Sequence, residues 1–174
     1  MQHYNRKSSL ALFTDASETT WSLIIGICQY EENLPFSIKT TLFKPMMFSS
    51  GTFSNSELNW SISQKELFPV LKAYSRFKFL LEGHEGPIYL FTDHKSLIPI
   101  LRPEWTEKNS YLSRLRRWSL IFQHLDLKVI HISSYQNSFA DMLTRWASSN
   151  SEEENVQETK IEINSLHKPK QKEN

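Results

Sequence analysis

The chain has 174 residues, which fits one domain plus a tail, and 39% of them are hydrophobic, enough for a sizeable core. The formal net charge is +1, and the single cysteine, Cys28, excludes an internal disulfide and a zinc site built from several cysteines. No apolar run is long enough to span a membrane, and the N-terminus lacks the apolar segment of a signal peptide, so neither is expected.

Three strands are predicted at the start of the chain. Segments 9–17, 20–30 and 36–50 are the predicted strands, and polar turns separate them. This pattern favours an antiparallel meander. Pro45 is expected to interrupt the third strand, because proline has no N–H to donate to a ladder hydrogen bond.

Helices and strands alternate in the rest of the domain. Segment 61–83 is predicted to be a helix, because Ser61 and Gln64 match a capping box and Gly83 follows the last apolar turn. After it we predict a buried strand, a short helix, a basic helix, a strand and a final helix, at 87–93, 94–101, 108–125, 127–133 and 138–148. This order indicates an α/β domain with a mixed sheet over residues 1–149. Residues 150–174 have few large apolar side chains, so they are interpreted as a disordered tail or linker.

Two of the predicted strands end in the same tripeptide, Phe-Thr-Asp. Asp15 ends the first strand, and Asp93 ends the strand at 87–93. A single acid in such a place is ordinarily a turn residue or a helix cap. Ligands of α/β sheets bind at the carboxyl ends of strands, and two neighbouring carboxylates repel each other unless a cation lies between them. A shared metal ion would explain both acids.

Two further acids are candidates for the same site. Glu66 shares the core-facing side of the first helix with Val70 and Ala73, where an unpaired carboxylate would be costly. Asp141 lies in the opening turns of the final helix, where it either stabilises the helix dipole or faces the sheet edge. Four carboxylates without a soft ligand suit Mg²⁺ or Mn²⁺, and two such ions can promote phosphodiester hydrolysis.

The chain resembles a known family over residues 10–146. The ordered motifs are FTDAS, ELNWSISQKELFPVLKA, FTDHKSL, RLRRW and NSFADMLTRW. They are similar to those of the ribonuclease H domain of reverse transcriptases, most closely the Ty3/gypsy class of LTR retrotransposons. The resemblance implies a ribonuclease H-like fold, a five-stranded mixed sheet of order 3-2-1-4-5 flanked by helices.

The resemblance also implies a function. Two Mg²⁺ ions, replaceable by Mn²⁺, would be bound by Asp15, Glu66, Asp93 and Asp141, and the RNA strand of RNA·DNA hybrids would be cleaved. A polymerase domain would precede this domain and an integrase would follow it in a polyprotein within an intracellular, cytoplasmic particle. The sequence carries no targeting signal that tests this localisation.

Some positions depart from the family pattern. The segment after Asp15, SETTWSLII, is bulky where the family tends to be glycine-rich, and Ser50 stands where the family often has a basic residue. Pro69 lies three residues after Glu66 and is expected to kink the helix. His131 precedes Asp141 by ten residues, the count of the retroviral histidine loop, so it either assists catalysis through product release or is an ordinary strand residue.

Several polar residues are candidates for nucleic-acid contacts. Arg114 and Arg117 lie in the basic helix, where a solvated face is the alternative interpretation. Lys95, Ser96 and Asn137 lie near the predicted site and are expected to contact the sugar–phosphate backbone or a 2′-hydroxyl group.

The main hypothesis is therefore a metal-dependent endoribonuclease of a retroelement reverse transcriptase. The alternative is a catalytically silent module of the same fold that binds nucleic acid or acts as a spacer. An exonuclease is disfavoured, because Ser17 stands where that class needs an acid.

Overall fold

The computed structural model describes residues 6, 8–30, 42–102, 113–138, 140, 141 and 144. In chain order, its elements are β1 Ser9–Ala16, β2 Thr20–Gln29, β3 Leu42–Thr52, α1 Ile62–Glu82, β4 Ile88–Thr92, α2 Leu97–Ile100, α3 Ser113–Leu120 and β5 Leu127–His131. The described residues of the predicted final helix, Ser138, Ala140, Asp141 and Thr144, are helical. The predicted tail at 150–174 lies outside the described residues. Within them, no helix is both long and apolar enough to cross a membrane.

The strands form one five-stranded sheet in the order β3-β2-β1-β4-β5. β1 pairs antiparallel with β2, and β2 pairs antiparallel with β3, which confirms the meander. β4 runs parallel to both β1 and β5. The predicted mixed sheet and its order are confirmed.

The third strand runs through Pro45, so the predicted interruption is wrong. β3 is an edge strand, where a residue without an N–H is tolerated. The pairing of β2 with β3 is irregular beside Pro45. The register shifts there, because Gly26 pairs with Pro45 and Ile25 pairs with Met47. A Cβ atom on Gly26 would lie 2.3 Å from the carbonyl oxygen of Lys44, so this close approach of two backbones requires glycine.

Strand alternation divides the core between the two faces of the sheet. On one face, Leu12 and Leu23 pack with Leu67 of α1 and Leu115 of α3. On the other face, apolar side chains of the central strands form a second cluster with Ile132 and Ala140, which follow β5. The strand residues of this cluster include Ala11, Phe13, Ile24 and Phe91. The long helix and the final helix therefore cover opposite faces of the strands that end in Asp15 and Asp93.

Helix α1 begins as predicted but bends at an unexpected place. Both halves of the capping box are present, since Ser61 accepts a hydrogen bond from the Gln64 backbone and the Gln64 side chain accepts one from the Ser61 backbone. The backbone angles that leave the helical range are those of Phe77, with φ −121° and ψ 29°, eight residues beyond Pro69. No residue near Pro69 leaves the helical range, so the predicted kink is not seen in the backbone angles there.

The basic helix is shorter than predicted in its described part. α3 ends at Leu120, and turns follow to residue 125. Phe122 is buried and Leu125 packs against the same core cluster, so both reach the core from the turn rather than from the helix. Residues 103–112, with the predicted start of this helix and Leu112, lie outside the described residues.

Candidate active site

The parallel pairing of β1 and β4 brings Asp15 and Asp93 to one edge of the sheet. Phe13 lies opposite Phe91 in this pairing, so the residue two positions further along each strand is an aspartate. The pKa of Asp15 is raised, first by burial and then by the negative charges of Asp93 and Asp141, while a hydrogen bond from Thr144 lowers it. Three of the four predicted acids are therefore close together, since the charges of Asp93 and Asp141 change the pKa of Asp15.

The fourth acid, Glu66, approaches from α1 on the other face of the sheet. Its residue is 8% exposed, and its Oε2 atom has no hydrogen-bond partner among the described residues. Burial, together with the negative charges of Asp15 and Asp93, raises its pKa to about 8. A buried carboxylate oxygen without a donor requires either a proton or a cation.

Asn137 joins both strand ends to the loop before the final helix. Its Nδ2 atom donates to the backbone oxygen of Thr14 over 2.9 Å and to Oδ1 of Asp93 over 3.3 Å. The residue is 1% exposed, so its described contacts are with protein groups. The structure thus places Asn137, predicted to contact nucleic acid, where it orients Asp93.

Buried hydroxyl groups attach the final helix to β2. Ser22 Oγ donates to the Ala140 oxygen over 2.7 Å, and Thr20 Oγ1 donates to the Thr144 oxygen over 3.0 Å. The Thr144 hydroxyl lies 2.8 Å from Ser22 Oγ and also hydrogen-bonds Asp15. The sequence analysis missed these three residues, although Thr20 and Ser22 occupy alternate positions of an otherwise apolar strand, which was the available signal.

The residues fit a hard divalent cation by their chemistry. All four acids are carboxylates, which Mg²⁺ and Mn²⁺ prefer, and the unpartnered Glu66 oxygen points to a missing positive charge. In the described part of the chain, no three Asp, Glu, His or Cys side chains already form a group that could hold an ion. The carboxylates thus affect one another's charge, but the described side chains are not arranged as a complete set of metal ligands.

The other predicted site residues are more dispersed. His131 ends β5 opposite Thr92, which places it one strand away from Asp93. Ser96 Oγ lies 3.0 Å from Ser63 Oγ of α1, and Lys95 beside it is exposed. In α3, both predicted arginines are exposed, Arg114 and Arg117.

A comparison with known families now identifies the domain. The family described as the RNase H-like domain found in reverse transcriptase matches residues 5–125. The chain belongs to this family. The match ends before β5 and Asp141, so the final acid is supported by the geometry at the sheet edge rather than by the match.

Relatives of the RNase H-like domain include the transposon Tf2-3 polyprotein of Schizosaccharomyces pombe. The two are 26% identical over 145 residues, covering 83% of this chain and 10% of that polyprotein. The chain thus spans about a tenth of the length of the curated relatives it matches. The resemblance to ribonuclease H domains of Ty3/gypsy-type elements is confirmed.

Solved structures share the fold at low sequence identity. LC11-RNase H1 in complex with an RNA/DNA hybrid has a TM-score of 0.56 and 12% identity, with 83% of this chain and 99% of that chain covered. A foamy viral protease-reverse transcriptase in complex with double-stranded DNA has a TM-score of 0.51 and 18% identity, with 76% and 22% covered. These likenesses support the fold.

Proposed function

We propose that the RNase H-like domain is a metal-dependent endoribonuclease that cleaves the RNA strand of RNA·DNA hybrids for a retroelement reverse transcriptase. The observation that carries the proposal is the shared electrostatic environment of acids from separate elements. Burial, Asp15 and Asp93 raise the pKa of Glu66, and Asp93 and Asp141 act on Asp15. Such a concentration of like charge is typical of a cation site.

Each residue of the site has a proposed role. Asp15, Glu66, Asp93 and Asp141 would hold two Mg²⁺ ions, with Mn²⁺ as a substitute. When bound, such ions activate a water molecule and stabilise the leaving oxygen of a phosphodiester. Asn137 holds Oδ1 of Asp93 and Thr144 holds the carboxylate of Asp15, so both strand-end acids keep one orientation.

The remaining candidate residues are proposed to bind the nucleic acid or to assist release of the product. His131 at the end of β5 is proposed to assist product release from its position beside the strand ends. Lys95, Ser96, Arg114 and Arg117 are proposed to contact the sugar–phosphate backbone, because contacts of this kind position a nucleic acid without reading its sequence.

The larger assembly is also a proposal. The Tf2-3 relative is a transposon polyprotein of which this chain covers a tenth. We propose that a polymerase domain precedes the RNase H-like domain and an integrase follows it in one polyprotein. LC11-RNase H1, which shares the fold, was solved with an RNA/DNA hybrid, which supports the same class of substrate here.

The decisive experiment is cleavage of an RNA·DNA hybrid by the wild type and by Asp93→Asn. With the RNA strand labelled and Mg²⁺ or Mn²⁺ added, we expect the wild type to shorten the RNA and Asp93→Asn to lose at least about 100-fold in rate, a loss typical of a removed catalytic electrostatic group. Circular dichroism should show the same fold for both.

Two results would contradict the endoribonuclease proposal. Equal cleavage by Asp93→Asn and the wild type would remove Asp93 from the site. Tight hybrid binding without cleavage in either metal would favour the catalytically silent module instead.

A further inference from the structure

Helix α1 carries three basic residues on one face near the acids. Lys65, Lys72 and Arg76 are separated by seven and then four residues, so at about 100° per residue they lie within ~40° of one another around the helix. Along the axis they extend over ~16 Å, at 1.5 Å per residue. This row begins beside Glu66 and runs away from the acid site.

The two lysines are held in place by protein contacts. Lys65 Nζ donates to the Glu18 backbone oxygen over 2.7 Å and lies 5.6 Å from the ring centre of Phe53. Lys72 Nζ lies 4.8 Å from the ring centre of Phe68. Because Glu18 belongs to the turn that follows β1, the first of these cations is anchored next to the strand end that carries Asp15.

Two arginines have similar surroundings. The guanidinium of Arg76 lies 5.9 Å from the ring centre of Trp21 and donates to Ser49 Oγ on β3. The guanidinium of Arg114 on α3 lies 5.5 Å from the ring centre of Trp60. A cation over an aromatic face is attracted by the ring and loses freedom of movement.

The supporting rings form one continuous cluster. Phe68 lies 5.8 Å from Trp21, 5.5 Å from Phe53 and 5.2 Å from Trp60, measured between ring centres. The four cations therefore lie over a single cluster of rings from the start of β2, α1 and the segment before α1, and Trp60 joins this cluster to Trp118 of α3 at 5.2 Å between ring centres. We call Lys65, Lys72, Arg76 and Arg114 the ring-backed basic surface.

The ring-backed basic surface lacks carboxylate partners within the described residues. The ion pairs among the described residues lie elsewhere and involve Glu82, which is 3.7 Å from Lys78 and 3.4 Å from His124. Glu82 is at the far end of α1, beyond the bend at Phe77. Within the described residues, these four positive charges thus have no carboxylate partner, and the row of three on α1 suits a chain of phosphates better than a single ion.

We propose that the ring-backed basic surface binds the phosphate backbone of the RNA·DNA hybrid beside the acid site. The inference rests on the proposed function and extends it from Arg114, already proposed to contact phosphate, to the basic row on α1, which the sequence motifs did not indicate. Phosphates follow one another every ~3.4 Å along each strand of a duplex, so a row of ~16 Å faces several of them. Because the cations are already held, little side-chain freedom is lost on binding.

The salt dependence of hybrid binding tests this surface. In the non-cleaving Asp93→Asn background with Mg²⁺, the affinity for a fluorescent RNA·DNA hybrid should be measured between 50 and 200 mM NaCl, on the order of the range that resolves phosphate contacts. Lys72→Gln with Arg76→Gln should lower the slope of log K against log salt by about 1.8, or 0.9 per lost phosphate contact. The affinity should fall about tenfold or more.

A matched control removes equal charge elsewhere. Lys44→Gln with Lys78→Gln deletes two exposed lysines, one on β3 and one at the far end of α1, and should change the slope by less than about 0.5. Lys72→Arg with Arg76→Lys keeps both charges and should keep the slope. The single variant Arg76→Gln, at an exposed position, should lower the slope by about 0.9 even if the double variant folds poorly.

The outcomes separate the two proposals. If Lys72→Gln with Arg76→Gln changes the slope no more than the lysine control does, the surface is overturned while the proposed function stands. If the parent protein binds no hybrid at any salt concentration, both are overturned. A fall in affinity without a change of slope would show that the residues act on folding or packing, and would also overturn the phosphate assignment.

Discussion

At the scale of single residues, Glu66 is a charged residue type in a buried position. It lies on the buried side of α1, and in the described part of the chain its Oε2 atom has no hydrogen-bond partner. Burial, with help from Asp15 and Asp93, raises its pKa from 4.5 to about 8. In the metal-free domain at neutral pH, Glu66 therefore keeps its proton, which the unfolded chain would release.

This proton predicts how stability depends on pH in EDTA. Between pH 4.5 and about 8 the native state binds more protons than the unfolded state, so the free energy of unfolding should fall as pH rises through that interval and level off above it. At 1.36 kcal/mol per pKa unit the fall is at most about 5 kcal/mol. Glu66→Gln should remove most of it and be more stable than the wild type at pH 8.

Urea unfolding at several pH values measures this effect. Glu85→Gln, which changes an exposed carboxylate in the loop before β4, is the control and should retain the wild-type profile. If Glu66→Gln and the wild type have parallel profiles from pH 5 to 8.5, Glu66 does not hold the proton.

At the scale of elements, the described residues of the final helix make several polar contacts with the sheet. Thr20 and Ser22 of β2 donate to its backbone, and Asn137 precedes it with a bond to Asp93. Thr144, one turn beyond Asp141, connects this helix to Asp15. The helix therefore supplies Asp141 and orients Asp15. The way it packs on the sheet thus also sets the geometry of the acid site.

Thr144→Val should show this double role. The change keeps the branched shape but removes the hydroxyl group, leaving Ser22 and Asp15 with one partner fewer. We expect a loss of about 1–2 kcal/mol of unfolding free energy and a severalfold increase in the Mn²⁺ concentration that gives half-maximal cleavage. Thr144→Ser should restore both values.

The control for this helix is Ser138→Ala, which changes an exposed hydroxyl group at its beginning. Lower stability of Thr144→Val with an unchanged Mn²⁺ requirement would show that Thr144 supports packing only and does not orient Asp15.

At the scale of the whole molecule, the fold gathers negative charge from both faces of its sheet. Asp15 and Asp93 follow the central strands, Glu66 reaches them from α1, and Asp141 reaches them from the final helix. Their repulsion destabilises the metal-free fold, and a cation that binds only the folded state should reverse this by mass action. Cation binding must also displace the proton of Glu66.

Metal ions should therefore raise the melting temperature in a pH-dependent way. Millimolar Mg²⁺ and lower concentrations of Mn²⁺ should stabilise the wild type, because Mg²⁺ gives up its water reluctantly. The increase should be larger at pH 8.5 than at pH 6, since at the lower pH the ion competes with the proton of Glu66. Asp15→Asn should lose most of the response and be more stable than the wild type without metal.

Thermal unfolding followed by circular dichroism checks this, with equal ionic strength maintained by NaCl. A melting temperature that responds to MgCl₂ no more than to the matched NaCl, in a domain that also fails to cleave hybrid, would refute the cation site.

The sequence by itself determined the features that depend on local pattern. Apolar runs bounded by polar turns identified the strands, the pair Ser61 and Gln64 identified the start of α1, and the repeated tripeptide identified Asp15 and Asp93 as strand-end acids. These signals lie within a few residues of the element they describe, so they can be read without the fold. The burial of Glu66 followed from helical periodicity in the same way.

Tertiary structure decided the features that depend on contacts between distant segments. The hydrogen bond from Asn137 to Thr14 spans 123 residues of chain and that from Ser22 to Ala140 spans 118, and no local pattern encodes such partners. Pro45 is tolerated because β3 became an edge strand, which the whole sheet decides. The ring-backed basic surface arises from packing between α1, α3 and β2, because an aromatic cluster that orders several cations exists only after these elements meet.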